Sequence, residues 1–221
     1  MGKKISALLL LLALVVAVPA QTLQLKVGGG FASQYSDKKV VGAFKFGVGY
    51  EYELSQHWAI NPSFLFYGKG WKDQNQVVNI YDDNGEQVFD EDGNPVTGLM
   101  GRSVSANYLE LPVLFNYYLR TGNAQYIVLG AGPYVSCGIG GKIKTKGDSE
   151  RFGGERLYYD EKTFKKDGAH RFDTGIQAMA GYQFAMGVTL GVEADFGLLK
   201  YSSASGRNVS WLVSLVYSFG K

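Results

Sequence analysis

From position 44 to 54 the chain alternates strictly. Phe44, Phe46, Val48, Tyr50, Tyr52 and Leu54 are apolar or aromatic, while Lys45, Gly47, Gly49, Glu51 and Glu53 between them are small or charged. Successive side chains of a strand point to opposite faces, so this pattern predicts a β-strand with one greasy and one polar face. The alternation recurs and predicts eight strands, near 23–33, 41–54, 58–71, 104–119, 125–140, 173–184, 188–199 and 208–219. Each is long enough for a tilted strand to cross a bilayer, which takes ~9 to 11 residues.

The connections alternate in length. The first, third, fifth and seventh (34–40, 72–103, 141–172, 200–207) are longer than the tight turns at Ser55-Gln56, Thr121-Gly122-Asn123 and Met186-Gly187. Long loops on one side and short turns on the other fit an eight-stranded antiparallel up-and-down transmembrane β-barrel, with the loops extracellular and the turns periplasmic. A soluble β-barrel would alternate in the same way with its greasy face inward. The polar face separates the two. It is rich in Gly28, Gly30, Gly47, Gly49, Gly132, Gly138, Gly191, Gly197, Ser210, Ser214 and Ser218, small residues that suit a crowded lumen better than a wetted sheet. Aromatic residues gather at the strand ends: Tyr52, Trp58, Tyr117, Tyr182, Phe184, Tyr217 and Phe219 near the short turns, and Tyr35, Trp71, Phe172, Tyr201 and Trp211 near the long loops. Two such girdles mark bilayer interfaces. Pro62, Pro112 and Pro133 fall inside predicted strands, where bulges are expected to take up the lost ladder bonds.

The start of the chain agrees with export. Gly2-Lys3-Lys4, the apolar run 5–18 and Val18-Pro19-Ala20 predict a signal peptide over 1–20, cut before Gln21, leaving a barrel over 21–221. The single cysteine, Cys137, excludes an internal disulfide, and removing Lys3 and Lys4 from 22 basic residues leaves 20 against 20 acids. A neutral mature chain gives no basic footprint for nucleic acid.

On the expected lumen face stand Lys26, Lys45, Glu51, Glu53, Glu110, Glu193 and Asp195, with Tyr108, Tyr118 and Tyr134. Eight strands leave an interior that side chains fill, so these groups are expected to pair as a plug rather than line a conducting path. The loop 72–103 carries seven acids, and 141–172 carries nine bases against six acids. The two could meet above the barrel, or bind lipopolysaccharide or a partner. Asp90-Glu91-Asp92-Gly93-Asn94 has part of a calcium-loop pattern but lacks its closing Glu, and Glu86-Gln87-Val88-Phe89 between two turn signals reads as a small hairpin. His57 and His170 are the only histidines. A lipid hydrolase would need His170 beside a serine such as Ser149 and an acid such as Glu155, and no spacing fixes that geometry. No catalytic, cofactor-binding or metal-binding residue is therefore assigned, and no cofactor is expected.

Three segments, Asn107-Tyr108-Leu109-Glu110-Leu111-Pro112, Gly130-Ala131-Gly132-Pro133-Tyr134 and Phe172-Asp173-Thr174-Gly175, resemble landmarks of the PorT-like outer-membrane β-barrel family, typical of Bacteroidota. The resemblance spans the mature chain and includes a closing strand with an aromatic at its end, Phe219. It implies an eight-stranded outer-membrane barrel without catalytic residues, set among outer-membrane lipid and lipopolysaccharide. Some members serve protein secretion and gliding machinery, which makes envelope or secretion proteins candidate partners. Gly220-Lys221 extends past the aromatic end usual for such barrels. The function expected is a non-catalytic structural or interaction barrel; a lipid-modifying enzyme and a narrow solute channel are the alternatives.

Overall fold

A computed structural model describes residues 21–35, 38–73, 76–82, 84–147, 157–165, 169–202 and 206–220; the expected leader, 1–20, lies outside them. Among the described residues there are eleven strands: β1 (Gln21–Gln34), β2 (Val41–Glu53), β3 (Trp58–Lys72), β4 (Gln76–Asn79), β5 (Thr97–Gly122), β6 (Gln125–Gly140), β7 (Lys142–Gly147), β8 (Leu157–Lys162), β9 (Phe172–Gln183), β10 (Val188–Lys200) and β11 (Arg207–Ser218). Eight of them close an antiparallel ring in the order β1, β2, β3, β5, β6, β9, β10, β11, with β11 pairing back onto β1. These eight match the predicted strands to within a residue or two, except β5, which begins at Thr97 and runs on to Gly122. β4, β7 and β8 are additions within the long loops. β4 and β7 both pair with the projecting start of β5, and β8 pairs with β7.

Burial follows the two-residue period. On β2, Lys45 and Glu51 are buried while Phe44, Phe46, Val48 and Tyr52 are exposed. β11 buries Ser210, Leu212, Ser214, Val216 and Ser218 and exposes Trp211, Val213, Leu215 and Tyr217. This inverts the soluble arrangement. The greasy face points out and the small, polar face points in, as a bilayer requires.

The proline expectation is overturned. Register is constant past Pro62, Pro112 and Pro133, and the recorded irregularities fall elsewhere, between Asn107 and Tyr108, Arg120 and Gly122, and Phe196 and Lys200. Instead each proline interrupts the ladder only toward the preceding strand. Pairs are missing between 50–51 and 61–62, between 63–64 and 111–112, and between 113–114 and 132–133. The ladder on the other side continues, with Pro62 opposite Val113, Pro112 opposite Tyr134 and Pro133 opposite Ile176. An absent N–H costs one bond on one side, and a closed ring holds the strand from the other. At Pro62 a side chain repairs the gap: Asn61 Nδ2 donates to the Tyr50 carbonyl at 3.1 Å.

Two aromatic expectations also change. Tyr35, Phe172 and Trp211 are exposed on the long-loop girdle, but Trp71 and Tyr201 are buried and pack edge to face, with centroids 6.1 Å apart. Trp71 shares the parity of Tyr67 and Lys69, so it turns into the barrel mouth rather than toward lipid.

Candidate functional site

Among the described residues, three hydrogen-bonded groups fill the lumen. Toward the periplasmic end, Lys26 bonds Asn61 Oδ1, Asn61 Nδ2 donates to Gln24 Oε1 at 2.9 Å, and Gln24 Nε2 donates to Glu51 at 3.1 Å. The Tyr118 hydroxyl also donates to Glu51. Toward the middle, Lys45 pairs with Glu193 and stands 3.9 Å from Asp195, while Gln177 Nε2 donates to Glu193 at 3.0 Å. Tyr67 bonds Ser210, whose hydroxyl donates to Asp195 at 3.1 Å.

Lys69 is the hub of the upper half. Its ammonium lies 3.0 Å from Asp173 and 3.8 Å from Glu110, and within 4.7 to 5.2 Å of the ring centroids of Tyr108, Tyr67 and Tyr134. Asn208 Nδ2 completes the Asp173 side at 3.0 Å. An ammonium removed from water must recover its solvation from carboxylates and aromatic faces, and here it has both. Tyr108 and Glu110 come from the first of the three landmark segments, Tyr134 from the second and Asp173 from the third. The segments stand on the adjacent strands β5, β6 and β9.

Above this hub the mouth is covered. Phe164 is buried against Tyr108, edge to face at 5.5 Å. Its segment is held by Thr163 Oγ1 donating to the Ser105 carbonyl at 2.6 Å. Arg171 donates to the carbonyls of Gly138 and Phe164, each at 2.9 Å, and lies over the Phe164 ring at 5.5 Å. Phe164 and Tyr108 join Trp71, Tyr201 and Ala169 in one apolar cluster over the charged lumen. At the opposite end the barrel opens into a cavity of about 470 Å³ walled by Glu53, Tyr118, Arg120, Tyr126 and Gln183.

Of the expected lumen residues, Lys26, Lys45, Glu51, Glu110, Glu193, Asp195, Tyr108, Tyr118 and Tyr134 are buried there. Glu53 is not: it ends β2 and is exposed at the rim of the periplasmic cavity. Sequence reading missed Lys69, Asp173, Asn61 and Gln177, although the parity of their strands points each inward. It also missed that Arg171, counted among loop bases, is tied to two carbonyls. His57 stacks near Tyr117 at the short turns and His170 is exposed at the other end, its backbone N–H donating to the Tyr201 carbonyl at 2.9 Å. Ser149 and Glu155 lie outside the described residues.

The charged loops meet by strand pairing. Arg102 stands opposite Thr145, and Met100 opposite both Gln76 and Gly147. Among the described residues, ion pairs in these loops run from Lys38 to Asp73 and from Lys165 to Glu161. In place of one hairpin, residues 80–82 and 84–96 form a three-legged meander through two turns of like sequence, with Tyr81 bridged to Gln87 and Phe89 to Pro95. Asp82 Oδ1 accepts the backbone N–H groups of Asn84 and Glu86, and Asp90 Oδ1 those of Asp92 and Asn94. In the segment that has part of a calcium-loop pattern, Asp90 Oδ1 is thus committed to its own turn.

With the ring and its filled lumen established, a family model for the outer membrane protein β-barrel domain matches residues 16–202. The chain belongs to this family. Among solved structures, this outer-membrane barrel is similar to the attachment invasion locus protein Ail of Yersinia pestis (14% identity, covering 90% of this chain and 97% of that one, TM-score 0.43). It is also similar to Neisserial surface protein A (11% identity, 89% and 94% coverage, TM-score 0.45). No curated protein sequence matches it.

Proposed function

We propose that this outer-membrane barrel is a non-catalytic structural or interaction protein, exported by a leader cut before Gln21, whose wall is closed to solutes and whose surface loops engage an envelope partner or lipopolysaccharide. The observation that carries this reading is the double closure of the lumen. Three buried lysines are tied to carboxylates or amides across the bore, and the Phe164 segment covers them. A transport path would need exchangeable polar groups along an open bore, and a hydrolase would need a base beside a nucleophile. Where side chains are fixed instead, the part of the molecule left to do work is the sheet of β4, β5, β7 and β8 raised above the rim.

Membership in the PorT-like group, and with it a place near secretion machinery, is supported by the convergence of the three landmark segments on Lys69. Planar-bilayer recording tests the closure: the purified barrel should give no steps, and steady single-channel steps would overturn it. Cross-linking a surface-tagged barrel in intact cells tests the role. Recovery of an envelope or secretion protein supports an interaction role, whereas lipid A modification that disappears with His170→Ala would replace it with an enzyme.

A further inference from the structure

At the extracellular end of the wall, cations face each other across the ladder in two places. Lys39 and Lys72 form a bridge pair joined by both backbone bonds, 2.8 and 3.0 Å long. Lys200 stands opposite Arg207 where β10 meets β11. Like charges directly opposite in an antiparallel pair destabilise it, because their Cβ atoms are only ~4.5–5.5 Å apart. All four side chains are exposed. Lys72 keeps the outward parity of Phe64 and Phe66, and Arg207 that of Trp211 and Val213; Lys200 lies past the β10 irregularity, exposed in a row with Leu198 and Leu199.

The two pairs belong to one arc of wall. β10, β11, β1, β2 and β3 are consecutive neighbours, and the Tyr35 N–H at the top of β1 donates to the Arg207 carbonyl at 2.9 Å. Among the described residues none of the four cations forms an ion pair. Asp73, next to Lys72, is taken by Lys38. The β7–β8 hairpin differs: Lys142 is opposite Lys162 there too, but Glu161 and Asp160 occupy the next two ladder positions. Below the cations lies the outer aromatic girdle of this arc, with Phe31 opposite Trp211 and both more than half exposed.

We infer that this arc, Lys39, Lys72, Lys200 and Arg207, is a binding site for the phosphate groups of an outer-leaflet glycolipid. The aromatic shelf contacts the acyl chains at the membrane boundary, and the cation pairs rise beyond it to headgroup level. A phosphate between two opposed cations turns their repulsion into charge-assisted hydrogen bonds. This deepens the lipopolysaccharide part of the proposed function and moves it from the loops to the wall, so it can fail while the closed, non-catalytic barrel stands.

The test uses the purified full-length protein in detergent, titrated with phosphorylated lipid A and with the same lipid dephosphorylated, and read by native mass spectrometry. The K39Q/K72Q/K200Q/R207Q variant, checked for folding by its heat-dependent gel mobility, should bind phosphorylated lipid A at least about tenfold more weakly than the parent. The parent should show the same loss on dephosphorylated lipid, and equimolar inorganic phosphate should not compete. Equal binding by the variant, equal binding of the two lipids, or displacement by equimolar phosphate would each overturn the site. Single variants guard against misfolding. Lys72→Gln and Arg207→Gln should raise the thermal midpoint without lipid and reduce the gain on adding lipid A, and a fall without lipid would contradict the opposed-cation argument.

Discussion

The ammonium of Lys69 lies 3.0 Å from the carboxylate of Asp173, joining residues 104 positions apart across the lumen. Both are almost fully buried, and Glu110 stands within 3.8 Å of the same ammonium with no exposure. Lys69 is therefore the charge that keeps two carboxylates compatible with the interior. Removing it leaves both uncompensated, whereas removing an acid with it restores part of the balance.

Lys69→Met should accordingly destabilise the barrel by about 3–5 kcal/mol, the range for breaking a buried pair from one side. K69M/D173N should lose less than K69M alone. Urea unfolding in detergent followed by tryptophan fluorescence measures both, and an additive double variant would show that the two residues do not act as a pair.

Asn61 gives the second prediction. Its amide donates to Tyr50, beside the ladder gap at Pro62, and to Gln24, while its oxygen takes Lys26. Asn61→Leu keeps the branching of the side chain, adds bulk and strands all three partners, at a cost of about 2–4 kcal/mol. Asn61→Asp retains the acceptor for Lys26 but not the donor for Tyr50, and should fall between the parent and Leu on the same unfolding measurement.

The strand count, faces and turns were legible because one periodicity, repeated eight times, encodes them locally. Glu53 was misplaced by the same rule: its parity points inward, but β2 ends there and the side chain meets water instead of a lumen. Lys69 and Asp173 follow the rule as well, yet nothing local says that an ammonium on β3 will find a carboxylate on β9. That contact depends on ring closure and the tilt of the strands. β7, β8 and the Phe164 segment were least legible. They are short, and they are fixed by tertiary bonds such as those from Arg171 to Gly138 and Phe164. At the prolines the general rule about bulges gave way to a ring in which each strand is held from two sides.

Gly138 and Phe164 give a third prediction. A Cβ added at Gly138 would strike the Phe164 ring, so Gly138→Ala should drive that ring out of the mouth and expose its segment. Limited proteolysis of the folded barrel should then cut near 163–171 faster than in the parent. Phe164→Ala should remove the conflict, so that G138A/F164A is as stable as F164A alone. Because Lys69 and its carboxylates lie beneath, Phe164→Ala by itself should remain silent in planar bilayers, and conduction by it would mean that the ring is the only barrier.

The turn at Asp82 yields a pH dependence with a defined sign. Backbone N–H groups, that of Glu86 foremost, hold the Asp82 carboxyl below its ordinary value of 3.8. A carboxylate depressed in the folded state stabilises its turn at every pH above the ordinary value and loses that contribution as pH falls through the depressed one. The amide signals of Asn84 and Glu86, followed by NMR in detergent, should therefore shift together with a midpoint below 3.8. Asp82→Ala should abolish this transition while leaving the Asp90 turn intact, since the Asp92 and Asn94 amides are held by a separate carboxylate. A midpoint at or above the ordinary value would mean that the two N–H bonds do not persist in solution, and the meander would then lose its first anchor.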